Sequence, residues 1–114
     1  MSRTSFHLVV ALLLAGFGLM ALTHGSAVAA DAAVSDVTLD NFTMSPKTLT
    51  VAVGTSVRWT NADDIPHTVV SEDRTFKSKV MDTDEHFTFT FSKAGTYKYF
   101  CSIHPHMTGT VIAQ

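Results

Sequence analysis

From Val37 onward the chain is built of short runs in which apolar and polar residues alternate, broken by turn residues roughly every eight to twelve positions. Val37-Thr38-Leu39 opens the pattern, and Phe42 and Met44 continue one face until Ser45-Pro46-Lys47, a turn or bulge before Thr48-Leu49-Thr50-Val51. Ala52 to Thr55 reads as a turn in which Gly54 is free to take a positive φ. Ser56 to Thr60 alternates again with Val57 and Trp59 on one side, and the polar stretch Asn61 to Pro66 then delivers His67 at the head of Thr68-Val69-Val70. Glu72 to Asp84 keeps no period and carries much of the charge, which predicts a surface connection with at most a short strand. The clearest strand is His86 to Phe91, with Phe87, Phe89 and Phe91 inward and the threonines outward. Ser92 to Gly95 closes a hairpin onto Thr96 to Cys101, and Gly109 to Ala113 forms a last strand.

No window after the first thirty residues holds a helical period over three turns, so the class is all-β. A strand with one apolar face must bury it against a second layer. The expected architecture is therefore a small antiparallel Greek-key β-sandwich. In such a sandwich the loops gather at two ends, and the loop before His67 can meet the loop after Cys101.

The first thirty residues follow another rule. Arg3 is followed by an apolar stretch, Leu8 to Leu22, and Ala27-Val28-Ala29 has the small-x-small pattern of a cleavage site. Residues 1–29 are expected to be a cleaved secretory signal and residues 30–114 a single domain, with cleavage after Ala29 or Ala30. A retained anchor is the other reading, but the apolar stretch is short against the ~20 residues that a membrane span needs. The formal charge of −2 becomes more acidic once Arg3 is gone, and the remaining basic residues are scattered. Nucleic acid is therefore not an expected partner, nor is a membrane after cleavage, and a monomer is expected.

The cysteine count changes the picture. An exported domain of this size commonly uses paired cysteines as staples, and this one has a single thiol. Cys101 is a buried inert side chain, a partner for another chain, or a metal thiolate. Its neighbours favour the last, because Cys101, His104 and Met107 stand at C-x2-H-x2-M spacing around the stiff Pro105. His67 is the obvious fourth donor. One Cys, two His and one Met is the ligand set of a blue-copper electron-transfer centre. Zinc takes Cys and His but is poorly served by Met.

Other potential donors compete with these. His106 competes with His104, but C-x4-H followed at once by Met crowds two donors onto adjacent residues, so His104 is preferred and His106 placed at the surface. His86 reads as solvated, and Met44 and Met81 as packing or rim. No nucleophile and base pair or phosphate loop is visible, so an enzyme is not expected. An ion-transport or storage protein for copper is the alternative to an electron carrier. Ile65, Pro66, Met81, Ile103 and Pro105 are candidates for an apolar ring around an exposed edge of His104.

Thr48 to Asn61 (T-L-T-V-A-V-G-T-S-V-R-W-T-N), Pro66 to Val69 (P-H-T-V) and Ala94 to Met107 (A-G-T-Y-K-Y-F-C-S-I-H-P-H-M) together resemble the cupredoxins, most closely the amicyanin-like members. The resemblance runs from about Val37 to Ala113. It implies a periplasmic type 1 copper protein with His67, Cys101, His104 and Met107 as ligands, a quinoprotein amine dehydrogenase as electron donor and a c-type cytochrome as acceptor. The chain departs from that pattern at Thr68, where an Asn usually bridges the two ligand loops, and at His106, where similar loops carry Phe. The shorter Thr side chain implies a looser bridge.

Overall fold

The alternation produces eight strands: β1 (Val34–Asp40), β2 (Thr43–Ser45), β3 (Thr48–Val51), β4 (Ser56–Asn61), β5 (Val70–Ser71), β6 (His86–Thr90), β7 (Gly95–Phe100) and β8 (Thr108–Ala113). They are seen in a computed structural model that describes residues 33–114 together with Gly16 and Gly18. Apart from those two glycines, the expected signal segment lies outside the described residues. The strands form two four-stranded sheets, ordered β2-β1-β4-β6 and β3-β8-β7-β5, and the all-β sandwich is as expected.

The pairing corrects two expectations. The Ser92 to Gly95 turn does not close a hairpin: β6 pairs with β4 in one sheet and β7 with β8 and β5 in the other, so the turn carries the chain across the sandwich, because Phe91 and Tyr97 both point into the space between the sheets. Antiparallel neighbours were expected throughout, yet β1 runs parallel to β4 and β3 parallel to β8. The chain leaves the first sheet after β2, crosses to lay down β3 in the other, and returns as β4 beside β1. A strand reached by a crossover can lie parallel to its neighbour, which a tight hairpin cannot achieve.

Trp59 is the centre of the interior. It exposes no surface, and its ring lies 5.3 Å from Phe76, 5.7 Å from Phe87 and 5.4 Å from Tyr99 between centroids. The edge-on contact with Tyr99 joins the two sheets, since Trp59 stands on β4 and Tyr99 on β7. Tyr99 pairs with Gly109 on β8, and a Cβ at Gly109 would overlap the tyrosine ring. That close approach explains a glycine inside a strand. On the edge strand β6, Phe87 and Phe89 are half-buried against this core, while Phe91 just beyond it is fully buried.

Two further expectations are revised. Phe42 does not continue the inner face of Met44. Asn41 and Phe42 take φ of 48° and 57°, forming the two-residue turn between β1 and β2, and Phe42 is exposed. Consecutive positive φ values match the twist of a tight hairpin, which turns the ring out towards one end of the sandwich. The Glu72 to Asp84 segment is also more than an aperiodic surface connection. Phe76, Ser78 and Met81 are buried, and the segment is bridged to the 67–70 stretch at Val70–Lys77 and His67–Met81. Its buried positions step by two from Phe76 to Ser78 and by three to Met81, and one of them is a serine, so no hydrophobic period shows.

Candidate metal centre

Two segments meet at one end of the sandwich. The first is anchored by Asn61, whose side chain donates to the carbonyls of Ile65 and Met81, both at 2.9 Å, and accepts from Asp63 N–H at 2.9 Å. The polar run is thereby wrapped into a fixed loop. Past the loop, His67 exchanges backbone hydrogen bonds with Met81 in both directions, 3.1 and 2.8 Å, so its ring enters the site from a rigid rail. The second segment begins where β7 ends. Cys101 N–H donates to Met107 O and Met107 N–H to His104 O, both at 2.9 Å, which folds 101–107 into a closed loop.

These constraints bring His67, Cys101 and His104 together. Nδ1 of each imidazole lies 3.8 Å from Cys101 Sγ, and the three donor atoms all fall within 4.8 Å of one another. It is the one such cluster of His, Cys, Asp and Glu among the described residues. Cys101 and His67 expose nothing, Met107 is buried, and His104 is half-buried. His106 and His86 are exposed. Met44 and Met81 belong to the core, so Met81 is not part of an apolar ring around His104: its pairing with His67 turns it inward.

The electrostatics favour a thiolate. Burial pushes the Cys101 thiol up, but the Thr68 N–H, the His67 ring, the His104 N–H and the Thr68 hydroxyl together outweigh it and bring the pKa from 9.0 down to about 6. Asp63 adds a partner at the far side of His67, its carboxylate 2.9 Å from Nε2. A carboxylate only accepts, so Nε2 carries the proton and Nδ1 is left facing the sulfur. The same hydrogen bond holds the Asp63 carboxyl below the usual range, against the opposing effect of burial.

A family profile described as a cupredoxin-like domain matches residues 9–113. The chain belongs to the cupredoxin family. Amicyanin from Paracoccus denitrificans is 34% identical over 93 residues, covering 75% of this chain and 71% of the relative. Amicyanin from Paracoccus versutus is 39% identical over 72 residues, 58% of this chain, which spans about half of that relative (54%). Among solved structures, a purple cupredoxin from Nitrosopumilus maritimus superposes with a TM-score of 0.68 at 33% identity, over 70% of this chain and 99% of that one.

In this cupredoxin the donor atoms fit copper. A thiolate suits Cu(I), imidazole nitrogen suits Cu(II), and the thiol is already acidic enough to ionise near neutrality. Thr68 is better placed than its length implies. Its hydroxyl accepts from Ser102 N–H at 2.7 Å, so the two ligand segments are bridged because the second loop comes to the shorter side chain.

Sequence reading missed four residues of this cupredoxin site. Asn61, Asp63 and Ser102 act only through hydrogen bonds, and Phe42 through its ring, edge-on at 5.1 Å from His104 and 6.1 Å from His67. For Asp63 a signal existed, since a carboxylate four residues before a histidine donor is well spaced to orient it. Phe42 gave none, because it lies 62 residues before His104 and reaches it only through a positive-φ turn.

Proposed function

We propose that this cupredoxin is a small exported blue-copper electron carrier, with one copper held by His67, Cys101, His104 and Met107. The observation that carries the reading is the convergence of the Cys101 sulfur and two imidazole nitrogens within 4.8 Å at a buried end of a rigid sandwich. Bound there, copper supplies a one-electron Cu(II)/Cu(I) couple. The chain's part is to keep the donors still and dry. Cys101 is held ready as a thiolate, Asp63 orients the His67 ring, and the closed loop from Cys101 to Met107 presents His104.

Burial separates this function from ion transport, because His67 and Cys101 offer no exposed atom to a receiving chaperone. His104 alone of the three donors reaches the surface, in a shallow depression shared with Phe42, Ile103, Pro105 and His106. Ile103 and Phe42 are both exposed, which makes this rim a docking patch for brief redox encounters. The partners proposed are a quinoprotein amine dehydrogenase as donor and a c-type cytochrome as acceptor. The carrier is a monomer of residues 30–114 in the periplasm, released by removal of residues 1–29.

The visible spectrum after one equivalent of Cu(II) tests the reading. An intense thiolate-to-copper band is expected, and it should vanish in Cys101→Ala. A colourless protein that still binds Cu(I) would overturn the electron-carrier reading in favour of transport.

A further inference from the structure

Thr68 sits where a single side chain can hold both ligand segments. Its N–H donates to Cys101 Sγ at 3.3 Å, and its hydroxyl lies 2.7 Å from Ser102 N, 2.7 Å from Ser102 Oγ and 3.7 Å from Cys101 Sγ. The Ser102 amide can only donate, so it occupies one acceptor site of Thr68 Oγ1. One hydroxyl proton remains to be placed. Either Thr68 donates to Ser102 Oγ and leaves the sulfur with the N–H alone, or Ser102 donates to Thr68 and Thr68 donates to the sulfur.

Charge decides between them. A metal-bound thiol is deprotonated outright, and a hydrogen bond to an ionised acceptor is about twice as strong as one between neutral groups. Thr68 is buried, so its proton has no water to turn to, whereas Ser102 is exposed and its free lone pairs are satisfied by solvent. The two hydroxyls also polarise each other in this order, each strengthening the next.

We propose that Ser102 and Thr68 form a hydroxyl relay, Ser102 Oγ–H to Thr68 Oγ1 and Thr68 Oγ1–H to Cys101 Sγ, which pins the two ligand loops together and sets the electron density on the ligand sulfur. Neither residue reaches the metal; both are positioning residues. A sulfur that accepts two hydrogen bonds from one residue donates less to an oxidised metal, so the relay raises the reduction potential. This electronic half rests on the copper reading above; the pinning half does not.

The test uses Thr68→Val, Thr68→Ser and Ser102→Ala. In the copper-loaded protein, Thr68→Val should lower the reduction potential and shift the thiolate-to-copper band, Thr68→Ser should restore both, and Ser102→Ala should lower the potential by a smaller step. In the metal-free protein, Thr68→Val should speed hydrogen exchange of the Ser102 amide roughly two- to tenfold, the range of one lost hydrogen bond, while Ser102→Ala leaves the amide at that position protected. A rise in potential in Ser102→Ala would show Thr68 donating to Ser102 and overturn the relay, as would no change at all. If no variant and no parent protein shows a blue band, the carrier reading fails, and amide exchange in metal-free Thr68→Val still decides whether the hydroxyl pins the loops.

Discussion

Trp59 and Asn61 lie two residues apart on β4, both point inward, and neither exposes any surface. Trp59 is surrounded by the rings of Phe76, Phe87, Phe91 and Tyr99, at tilted, stacked and edge-on angles. No one of those contacts is decisive, because dispersion and burial are non-directional and add up over area. Asn61 has a partner for each atom it uses: two carbonyls for its amide protons and one N–H for its oxygen. Losing it strands the Ile65 carbonyl and the Asp63 N–H and leaves the Met81 carbonyl with the His67 N–H alone. One strand therefore carries an area-based anchor for the sandwich and a direction-based anchor for the donor loop, and the two should fail differently.

The largest expected effect comes from the first anchor. Trp59→Ala should cost about 3–5 kcal/mol of folding stability, measured by denaturant unfolding of the metal-free protein. A loss under about 1.5 kcal/mol would mean that the neighbouring rings collapse into the space and that the interior is more plastic than its packing implies. Asn61→Ala should cost about 1–3 kcal/mol, the penalty for orphaning the Ile65 carbonyl and the Asp63 N–H, while the Met81 carbonyl keeps the His67 N–H. Its signature should be selective: copper affinity should fall further than in Trp59→Ala for each unit of stability lost, because the 61–67 loop loses its brace while the sheets stay packed. Equal proportional losses in the two variants would erase the distinction between the anchors.

The same contrast explains what could be read from the chain. Strands β4, β6, β7 and β8 were legible because a half-buried strand writes its burial as period two, and Phe87, Trp59 and Tyr97 follow that rule. The approach of His104 to Cys101 was legible because one short loop holds both, so that spacing stands in for geometry. The parallel pairing of β1 with β4 was not, since no local pattern records which sheet a strand returns to. Phe42 was misplaced because alternation carried it through a turn whose positive φ only the three-dimensional hairpin reveals. The Thr68 bridge could be anticipated as an identity and not as a geometry: its reach depends on where Ser102 comes to lie, 34 residues later in the chain.

Asp63 gives the smallest and most specific prediction, because it separates the directional anchor from its charge. Asp63→Asn keeps the shape and one acceptor for His67 Nε2 but removes the negative charge 2.9 Å from the ring. Loss of such an outer partner should weaken copper binding about tenfold, read by competition with a chelator at neutral pH. Acid provides the control. The hydrogen bond from His67 lowers the folded-state pKa of Asp63 below its ordinary 3.8, so the carboxylate stabilises the fold above that value and the contribution is lost as pH falls through the lowered pKa. The metal-free parent and variant should therefore differ fully above 3.8 and converge as the pH falls through the lowered pKa. A difference that persists unchanged at lower pH would assign the effect to the shape of the side chain, and the orientation of His67 would then not depend on the charge behind it.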